Sequence, residues 1–240
     1  MTAPHVSVVM PAYNEADILE TSVKEVVTGL RERGESFEVL IVENGSTDRT
    51  LVIAQEVASQ LPEVHVEQSP VADYGRALRH GLLAATGDAV VNFDVDYFDL
   101  DFLDAAVARV LTPGGPAIVV GSKRAEGAKD TRVPLRKLAT WIFSTILRVG
   151  FGLKVSDTHG MKAMRRAAVT PYAEQCFSGQ DLFDTELILR VERAGLGTGE
   201  IPVAVHELRP ARSSFLSRVP RTLRGLCKLR LALWKEQRNR

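Results

Sequence analysis

The sequence predicts an α/β fold built on a mainly parallel sheet that is flanked by helices. Short runs rich in β-branched residues alternate with stretches whose apolar residues recur at helical spacing, which is typical of right-handed βαβ units. The chain has 240 residues, 45% apolar and 25% charged, enough for a sizeable core. Sheets of this class bind ligands beyond the carboxyl ends of their strands, so candidate site residues are sought there.

Five short runs in the first half are predicted to be strands because Pro, Gly or polar residues bound them. They are Val6–Met10, Phe37–Val42, Val64–Val66, Ala89–Phe93 and Ala117–Val120. Helices are predicted from Ile18 to Leu30, from Leu51 to Leu61, from Gly75 to Ala85, and from Asp99 or Asp101 to Leu111. We expect Gly34 to end the first helix and one of Ser46, Thr47 or Asp48 to cap the second.

The second half of the sequence is less regular. Helices are predicted at Leu135–Val149 and Leu182–Ala194, a strand at Gly199–Val205, and a basic amphipathic helix at Val219–Lys235. The chain is therefore divided into a main domain, residues 1–215, and a basic amphipathic C-terminal helix, residues 216–240.

Cysteine usage and hydropathy predict a cytoplasmic protein. Cys176 and Cys227 stand 51 residues apart with no CxxC or Cys/His cluster, which predicts neither disulfides nor structural zinc. We identify no secretory leader. The longest candidate for a membrane span, Leu138–Leu153, is interrupted by Arg148 and is short of about 20 apolar residues.

The zero net charge conceals a basic C-terminal segment. Of the 30 basic and 30 acidic residues, ten basic and one acidic, Glu236, lie in residues 209–240, which leaves 20 and 29 elsewhere. Such a segment suggests a polyanionic partner: phosphate groups, a membrane surface or nucleic acid. No aromatic-basic interleaving supports nucleic acid, which we exclude. The helix at Val219–Lys235 suits a membrane interface, and the alternative is a helix packed on its own domain with a solvated basic face.

Two carboxylates follow the fourth predicted strand directly. Asp94 and Asp96 are alternate residues of an extended segment, so their side chains can converge on one site. Hard oxygen ligands suit Mg²⁺ or Mn²⁺, which would neutralise the charge that develops on a departing nucleoside diphosphate. The alternative is an acidic loop that caps the next helix, a role that we give to Asp99 or Asp101.

Polar motifs also end the first two predicted strands. Pro11, Tyr13 and Glu15 belong to a PAYNE sequence after the first strand, and Glu43 and Asn44 open an ENGSTD sequence after the second. Their carboxylates can accept hydrogen bonds from a base N–H or a ribose hydroxyl. Turn and cap chemistry explains the Gly, Ser and Asp residues of the second motif without any ligand.

Together, these motifs in this order resemble the family-2 glycosyltransferases of the Rossmann-like GT-A fold, over roughly residues 5–215. The resemblance implies that Pro11, Tyr13, Glu15, Glu43 and Asn44 bind the donor. It also implies that Asp94 binds the nucleoside or the metal. Asp96 would bind the metal and the diphosphate.

Several segments of the second half resemble the polyprenyl- or dolichyl-phosphate hexosyltransferases. They include Gly121–Arg124, Asp157–Lys162, Phe183–Leu187, and Arg209 with Ser213 and Ser214. The resemblance implies inverting transfer of mannose or glucose from a donor of the GDP-mannose or UDP-glucose type to a polyprenyl phosphate. It makes Lys123, Arg124, Arg136 and Arg209 candidates for phosphate contacts. The protein would then be peripheral on the inner face of the membrane.

The acceptor decides whether a catalytic base is needed. A phosphate monoester is already anionic near neutral pH and needs orientation by cations, whereas a sugar hydroxyl must lose a proton. Glu186 and Asp184 are the base candidates for a hydroxyl acceptor, and Asp181 is expected to cap the helix that carries them.

The chain departs from the family pattern at Tyr74, where Lys is frequent, at Phe98, where an acid or amide is usual, and at Phe215, where Lys follows the final Ser. Alternatives to lipid glycosylation are transfer to a saccharide or small-molecule hydroxyl, and a non-catalytic homologue that binds a nucleotide or a membrane. A Rossmann dehydrogenase is disfavoured because no GxGxxG follows the first strand.

Overall fold

A computed structural model describes residues 5–69, 71–122, 129–130, 134–205 and 215–238 of the chain. Its main feature is a seven-stranded sheet with the strand order β3-β2-β1-β4-β7-β5-β8. The strands are β1 (Val6–Ala12), β2 (Phe37–Glu43), β3 (Val64–Gln68), β4 (Ala89–Asn92), β5 (Ile118–Ser122), β7 (Lys162–Arg165) and β8 (Thr198–Pro202), and β6 (Lys129–Asp130) pairs with β9 (Ala204–Val205) in a small second sheet.

Eight helices pack around the large sheet within the described residues. They are α1 (Leu19–Arg33), α2 (Thr50–Gln60), α3 (Tyr74–Ala84), α4 (Leu100–Leu111), α5 (Pro134–Phe151), α6 (Arg166–Gln175), α7 (Phe183–Arg193) and α8 (Phe215–Arg238), and a 3₁₀ turn (Gln180–Leu182) precedes α7. Alternate strand residues enter opposite cores: Val8 packs with α1, α2 and α4, and Val9 packs with α3, α6 and α7. The predicted helix-flanked, mainly parallel sheet is therefore confirmed.

The first strand continues through Pro11, although proline has no N–H to donate. The main-chain N–H and C=O groups of odd-numbered residues in β1 point toward β4, because the Val9 carbonyl accepts the Phe93 N–H. Those of even-numbered residues point toward β2, because the Ala12 carbonyl accepts the Asn44 N–H. The pairing of β1 with β4 ends at Val9 and Asn92, so Pro11 faces an edge where no partner strand remains.

Helix boundaries in the first half follow the expected local signals. Gly34 ends α1 in the left-handed conformation with φ of 69°, and Asp99 caps α4 by accepting the Phe102 N–H at 3.0 Å. Asp48 does not occupy the cap position of α2, which is Arg49. It accepts the Thr50 N–H at 2.9 Å and so still serves the first turn of that helix.

One strand of the large sheet escaped prediction. The β7 strand runs antiparallel between β4 and β5 and places the buried Lys162 beside Asn92. Its sequence, KAMR, is too short and too basic for an apolar pattern to identify it. The following helix, α6, was also not predicted.

The C-terminal helix packs on the main domain. Leu226, Leu229 and Leu233 are buried against the same core as α3 and α7, and Gly225 lets the helix approach Leu182 closely. The division at residue 215 stays a prediction. No helix among the described residues has the length and apolar character needed to cross a bilayer.

Candidate active site at the carboxyl ends of the parallel strands

The loops that follow β1 and β2 are joined by hydrogen bonds. Asn14 accepts the Thr47 N–H at 2.8 Å through Oδ1, and its own N–H donates to Ser46 Oγ at 3.0 Å. The Glu15 N–H donates to Thr50 Oγ1 at 2.8 Å. These contacts hold Asn14 at a positive φ of 55°, a conformation that asparagine tolerates better than most residues. The two motifs therefore form one rigid rim.

Two predicted donor-binding residues have structural partners in this rim. Glu43 is buried and accepts the Ser46 N–H through Oε1, which closes the turn after β2. Asn44 is also buried and accepts the Asp73 N–H at 2.9 Å, which joins this turn to the start of α3. Pro11 is buried in β1 and Tyr13 is exposed at its end. The donor-binding roles of these residues and of Glu15 stay predictions.

Asp94 and Asp96 lie in a tight reverse turn beyond β4. Main-chain hydrogen bonds of 3.2 Å join Asp94 and Tyr97 in both directions. Val95 between the two aspartates is buried in the core, whereas Asp94 is half-buried and Asp96 is exposed. The apolar residue thus anchors the turn and leaves both carboxylates outside the core.

Tyr74 at the start of α3 holds the first of these carboxylates. Its hydroxyl donates to Asp94 Oδ1 at 3.0 Å and accepts from Asn92 Nδ2 at 3.4 Å. Burial, assisted by the negative charge of Asp94, raises the pKa of Tyr74 well above its usual value, so the hydroxyl remains a proton donor. Burial also raises the pKa of Asp94, while the Tyr74 hydrogen bond and the Lys162 charge oppose that rise.

A buried ion pair lies close to Asp94. Lys162 Nζ is 3.2 Å from Asp184 Oδ2 and also donates to the Gly160 carbonyl at 2.5 Å. Both side chains are at most 5% exposed, and the charge of Asp184 contributes to raising the pKa of Asp94. Two acceptors here, Asp184 Oδ1 and Asn92 Oδ1, are buried without a hydrogen-bond partner among the described residues. Unsatisfied buried acceptors of this kind cost about 1–3 kcal/mol each and call for a water or ligand donor.

The second base candidate on α7 faces away from this pair. Glu186 is fully buried and accepts the N–H groups of Phe177 at 3.2 Å and Ser178 at 2.8 Å. Its other oxygen accepts from Arg190 Nε at 2.8 Å, and Arg190 also pairs with Glu236 of α8 at 3.0 Å. Both oxygens of Glu186 are therefore committed to bonds within the protein.

The start of α7 is held against α3 by Asp73. The Asp73 carboxylate caps α3 by accepting the Arg76 N–H at 3.0 Å and accepts the Gln180 N–H at 2.6 Å through the same oxygen. Gly75 makes this approach possible, because a Cβ there would lie 2.7 Å from the Gln180 backbone. This junction positions Asp184 relative to Tyr74 and Asp94.

The predicted phosphate contacts fall largely outside the described residues. Lys123, Arg124 and Arg209 lie in the undescribed segments. Arg136 belongs to α5, although its side chain is not among those described. Their roles stay predictions.

Three polar residues of the site receive no role from the sequence pattern: Tyr74, Asn92 and Lys162. Lys162 is present only as the last residue of the Asp157–Lys162 segment of the family resemblance. Tyr74 was visible only as a departure from the family pattern. Lys162 would require the antiparallel β7 strand to be known first, because sheet pairing alone brings it beside Asn92. A buried lysine needs a charged partner, and that need identifies Asp184 once the strand is placed.

The donor set fits a divalent cation only in part. Asp94 and Asp96 offer hard oxygens of the kind Mg²⁺ and Mn²⁺ prefer. No group of three or more His, Cys, Asp or Glu residues suited to a metal occurs in the part of the chain that the structure describes. A cation bound here would therefore complete its shell with donor phosphates and water, as Mg²⁺ usually does.

Sequence relatives cover most of this chain. The chain is 31% identical to glycosyltransferase AglD of Haloferax volcanii over 203 residues. The alignment covers 82% of this chain and 32% of that protein. A dolichyl-phosphate beta-glucosyltransferase of Trichomonas vaginalis is 28% identical over 85% of this chain and 66% of its own length. The dolichyl-phosphate beta-glucosyltransferase of Saccharomyces cerevisiae is 26% identical over 84% of this chain and 67% of its own length. The chain thus spans about a third of the first relative and about two thirds of the others.

Solved structures share the fold. Mannosyl-3-phosphoglycerate synthase from Rubrobacter xylanophilus superposes with a TM-score of 0.71 at 20% identity, covering 99% of this chain and 76% of that one. Glucosyl-3-phosphoglycerate synthase from Mycobacterium tuberculosis, in complex with Mn²⁺, UDP and glucosyl-3-phosphoglycerate, gives 0.67 at 25% identity, covering 95% and 79%. These likenesses confirm the predicted GT-A-type fold. The profile of Glycosyl transferase family 2 matches residues 7–171, and the chain belongs to that family.

Proposed function

We propose that this chain is a metal-dependent, inverting hexosyltransferase that moves a sugar from a nucleotide donor to a polyprenyl phosphate. The observation that carries the proposal is the similarity, over 85% and 84% of the chain, to two dolichyl-phosphate beta-glucosyltransferases. The carboxylates at the end of β4 supply chemistry that such a reaction needs. The protein would work from the cytoplasmic side, peripheral on the inner face of the membrane.

Asp94 and Asp96 would hold Mg²⁺ or Mn²⁺ against the donor diphosphate. A bound cation would stabilise the charge on the leaving nucleoside diphosphate. Tyr74 leaves one oxygen of Asp94 engaged and so orients the other. The names of the relatives favour glucose over mannose as the transferred sugar. A structural neighbour at 25% identity was solved with Mn²⁺ and UDP, which supports a UDP-linked donor.

In the proposed reaction, a phosphate oxygen of the acceptor attacks the anomeric carbon as the bond to the diphosphate oxygen breaks. One displacement inverts the configuration, so an α-linked donor gives a β-linked product. The acceptor phosphate is anionic near neutral pH and needs no general base. Lys123, Arg124, Arg136 and Arg209 would orient it, while the rim residues Pro11, Tyr13, Glu15, Glu43 and Asn44 would bind the nucleoside.

The two acidic residues of α7 receive different roles in this proposal. Asp184 Oδ1 is buried, unpaired within the described residues and close to Asp94, so it would touch the bound donor or a water beside it. Glu186 would act as a positioning residue, since its oxygens hold the loop before α7 and Arg190.

A second candidate function is transfer to a saccharide or small-molecule hydroxyl. Asp184 Oδ1 favours it, because a hydroxyl acceptor needs a base and this oxygen has no hydrogen-bond partner among the described residues. A neighbour at 25% identity was solved with glucosyl-3-phosphoglycerate.

One assay separates these proposals. UDP-glucose and GDP-mannose are each offered with a polyprenyl phosphate or with 3-phosphoglycerate, in Mn²⁺ or EDTA, and the anomeric proton of any product is examined by NMR. We expect a β-linked lipid phosphate sugar that forms only with the cation. A faster reaction with the soluble hydroxyl acceptor would establish the second function, and an α-linked product would overturn the inverting assignment. Absence of turnover with every combination of donor and acceptor would favour a non-catalytic homologue.

A further inference from the structure

Helix α5 carries an unusual row of exposed apolar side chains. Trp141, Ile142, Ile146 and Val149 are 55%, 46%, 37% and 84% exposed. At about 100° per residue they lie within an arc of roughly 140° on one side of the helix. We call this row the α5 face. Single exposed apolar residues are ordinary on protein surfaces, but a contiguous row marks an interaction site.

The opposite side of α5 is the one that faces the protein. Ser144 and Leu147 are buried there, and Ser144 Oγ donates to the Ser156 carbonyl at 3.1 Å. The α5 face is thus the side that the described part of the chain leaves uncovered.

The one polar residue within the arc is already satisfied. Thr145 donates its hydroxyl to the Trp141 carbonyl at 2.8 Å, within the helix. Because this hydroxyl keeps its bond without water, the α5 face can enter an apolar medium at low cost.

The sequence that contains α5 is basic. No Asp or Glu occurs between Asp130 and Asp157, whereas five basic residues do: Arg132, Arg136, Lys137, Arg148 and Lys154. Helix α8 adds Arg230, whose guanidinium carbon lies 5.9 Å from the centre of the Phe151 ring at the end of α5. The single acid of α8, Glu236, is engaged by Arg190.

We propose that the α5 face lies in the interface of an anionic lipid bilayer, and so is the surface through which this enzyme reaches its acceptor. The inference rests on the proposed polyprenyl phosphate acceptor. An apolar arc in a basic segment, with the exposed Arg148 on the same helix and Arg230 of α8 near its end, complements lipid tails and anionic headgroups. A second copy of the chain is a poorer partner, because self-association through this face would bring like charges together.

The proposal differs from membrane binding by the C-terminal helix. Three leucines of α8, Leu226, Leu229 and Leu233, are buried against the main domain. Leu223 and Leu231 are exposed, and they share the exposed surface of the helix with cations such as Arg224 and Arg230. In our proposal, α8 contributes cations beside the bilayer and α5 contributes the inserted side chains.

The two tryptophans of the chain allow a direct test, since Trp141 lies on α5 and Trp234 on the exposed side of α8. Trp234→Phe leaves only Trp141, and Trp141→Phe leaves only Trp234. Vesicles of mixed phosphatidylcholine and phosphatidylglycerol, some with brominated tails, are added to each. We expect a blue shift and strong bromine quenching of Trp141, with weaker quenching of Trp234. Quenching of Trp234 alone, or of neither, would overturn the proposal.

Vesicle binding by a matched pair of variants gives an independent measurement. Ile146→Ser with Val149→Ser removes two apolar side chains from the α5 face and should weaken co-sedimentation about tenfold or more. The control, Val52→Ser with Val71→Ser, removes two exposed valines from elsewhere and should bind as the wild type does. Equal binding by both variants, or concentration-dependent dimers that disappear only in the first, would contradict a bilayer contact.

Failure of this inference is distinguishable from failure of the proposed function. A short, water-soluble prenyl phosphate requires no bilayer, so the α5 variant should glycosylate it at the wild-type rate and lose activity only on vesicle-bound acceptor. If the wild type glycosylates the soluble lipid phosphate but ignores vesicles, the α5 proposal fails and the enzyme assignment stands. If the wild type glycosylates neither acceptor but binds vesicles, the enzyme assignment fails and the α5 proposal stands.

Discussion

Helix α7 takes part in two ionic groups that are built differently. The site cluster contains Asp184 and Lys162 together with Tyr74, Asn92 and Asp94. The scaffold cluster contains Glu186, Arg190 and Glu236. Asp184 and Glu186 are only two residues apart, and both are buried, yet they belong to different clusters.

Hydrogen-bond satisfaction distinguishes the two clusters. Both carboxylate oxygens of Glu186 accept hydrogen bonds from protein groups, whereas Asp184 and Asn92 in the site cluster each leave one buried oxygen unpaired among the described residues. A buried cluster in which every polar atom is hydrogen-bonded stabilises the fold. A cluster with unpaired polar atoms lowers stability, and proteins retain such clusters where function requires them. We therefore expect substitutions in the site cluster to reduce turnover and those in the scaffold cluster to reduce stability.

The largest effect is expected from Asp96→Asn. Asp96 is exposed, so the substitution should leave the melting temperature within about 2 °C of the wild type. Loss of a charged metal ligand should lower kcat about a thousandfold, since a metal supplies several kcal/mol of charge stabilisation. Turnover in Mn²⁺ and in EDTA measures the effect. Asp101→Asn, an exposed aspartate in the first turn of α4, is the control, and unchanged activity of Asp96→Asn would remove the metal role.

The next effect concerns the ion pair of the site cluster. Lys162→Met leaves Asp184 buried without its cation and should lower the free energy of unfolding by about 3–5 kcal/mol. Adding Asp184→Asn removes the uncompensated charge, so the double variant should recover much of that stability while remaining inactive. Urea unfolding of the wild type, the two single variants and the double variant gives the coupling energy between Lys162 and Asp184. An active double variant would show that the pair is structural only.

For the scaffold cluster, Glu186→Gln should lower the free energy of unfolding by about 2–3 kcal/mol. The amide retains the size of the side chain but withdraws the charge from Arg190, which keeps a partner in Glu236. The folded fraction should turn over within about threefold of the wild-type kcat. A loss of kcat as large as that of Asp96→Asn, at unchanged stability, would return Glu186 to the role of a catalytic base.

The smallest effect is expected from Tyr74→Phe, which removes the hydrogen bond to Asp94 and nothing else of similar size. A hydrogen bond to a charged group is worth about 1.5–3 kcal/mol, and the lower end of this range corresponds to Mn²⁺ binding that is roughly tenfold weaker. Electron paramagnetic resonance of free Mn²⁺ reports this affinity without turnover. Tyr172→Phe, in α6, serves as the control. Unaltered Mn²⁺ affinity in Tyr74→Phe would show that Asp94 needs no support from this residue.

The alternation of strands and helices, and the edge of the sheet at which the site lies, can be predicted from the amino-acid sequence alone. These are local properties: apolar spacing defines each element, and polar residues such as Asp94 and Asn44 mark where strands end. Because parallel strands bring their carboxyl ends to one edge, the order of the motifs was enough to predict that they share a region. The family resemblance required the same local information.

The pairing of the buried charges depends on long-range packing and cannot be predicted from local sequence. Lys162 reaches the site because β7 inserts antiparallel between β4 and β5, a long-range pairing that leaves no periodic signal in a four-residue strand. The separation of Asp184 from Glu186 likewise depends on what packs against each side of α7. Packing also determines the environment of α8. By composition its leucines suit a bilayer or a protein core equally well, and Leu226, Leu229 and Leu233 are buried because α7 and Leu182 present a matching surface.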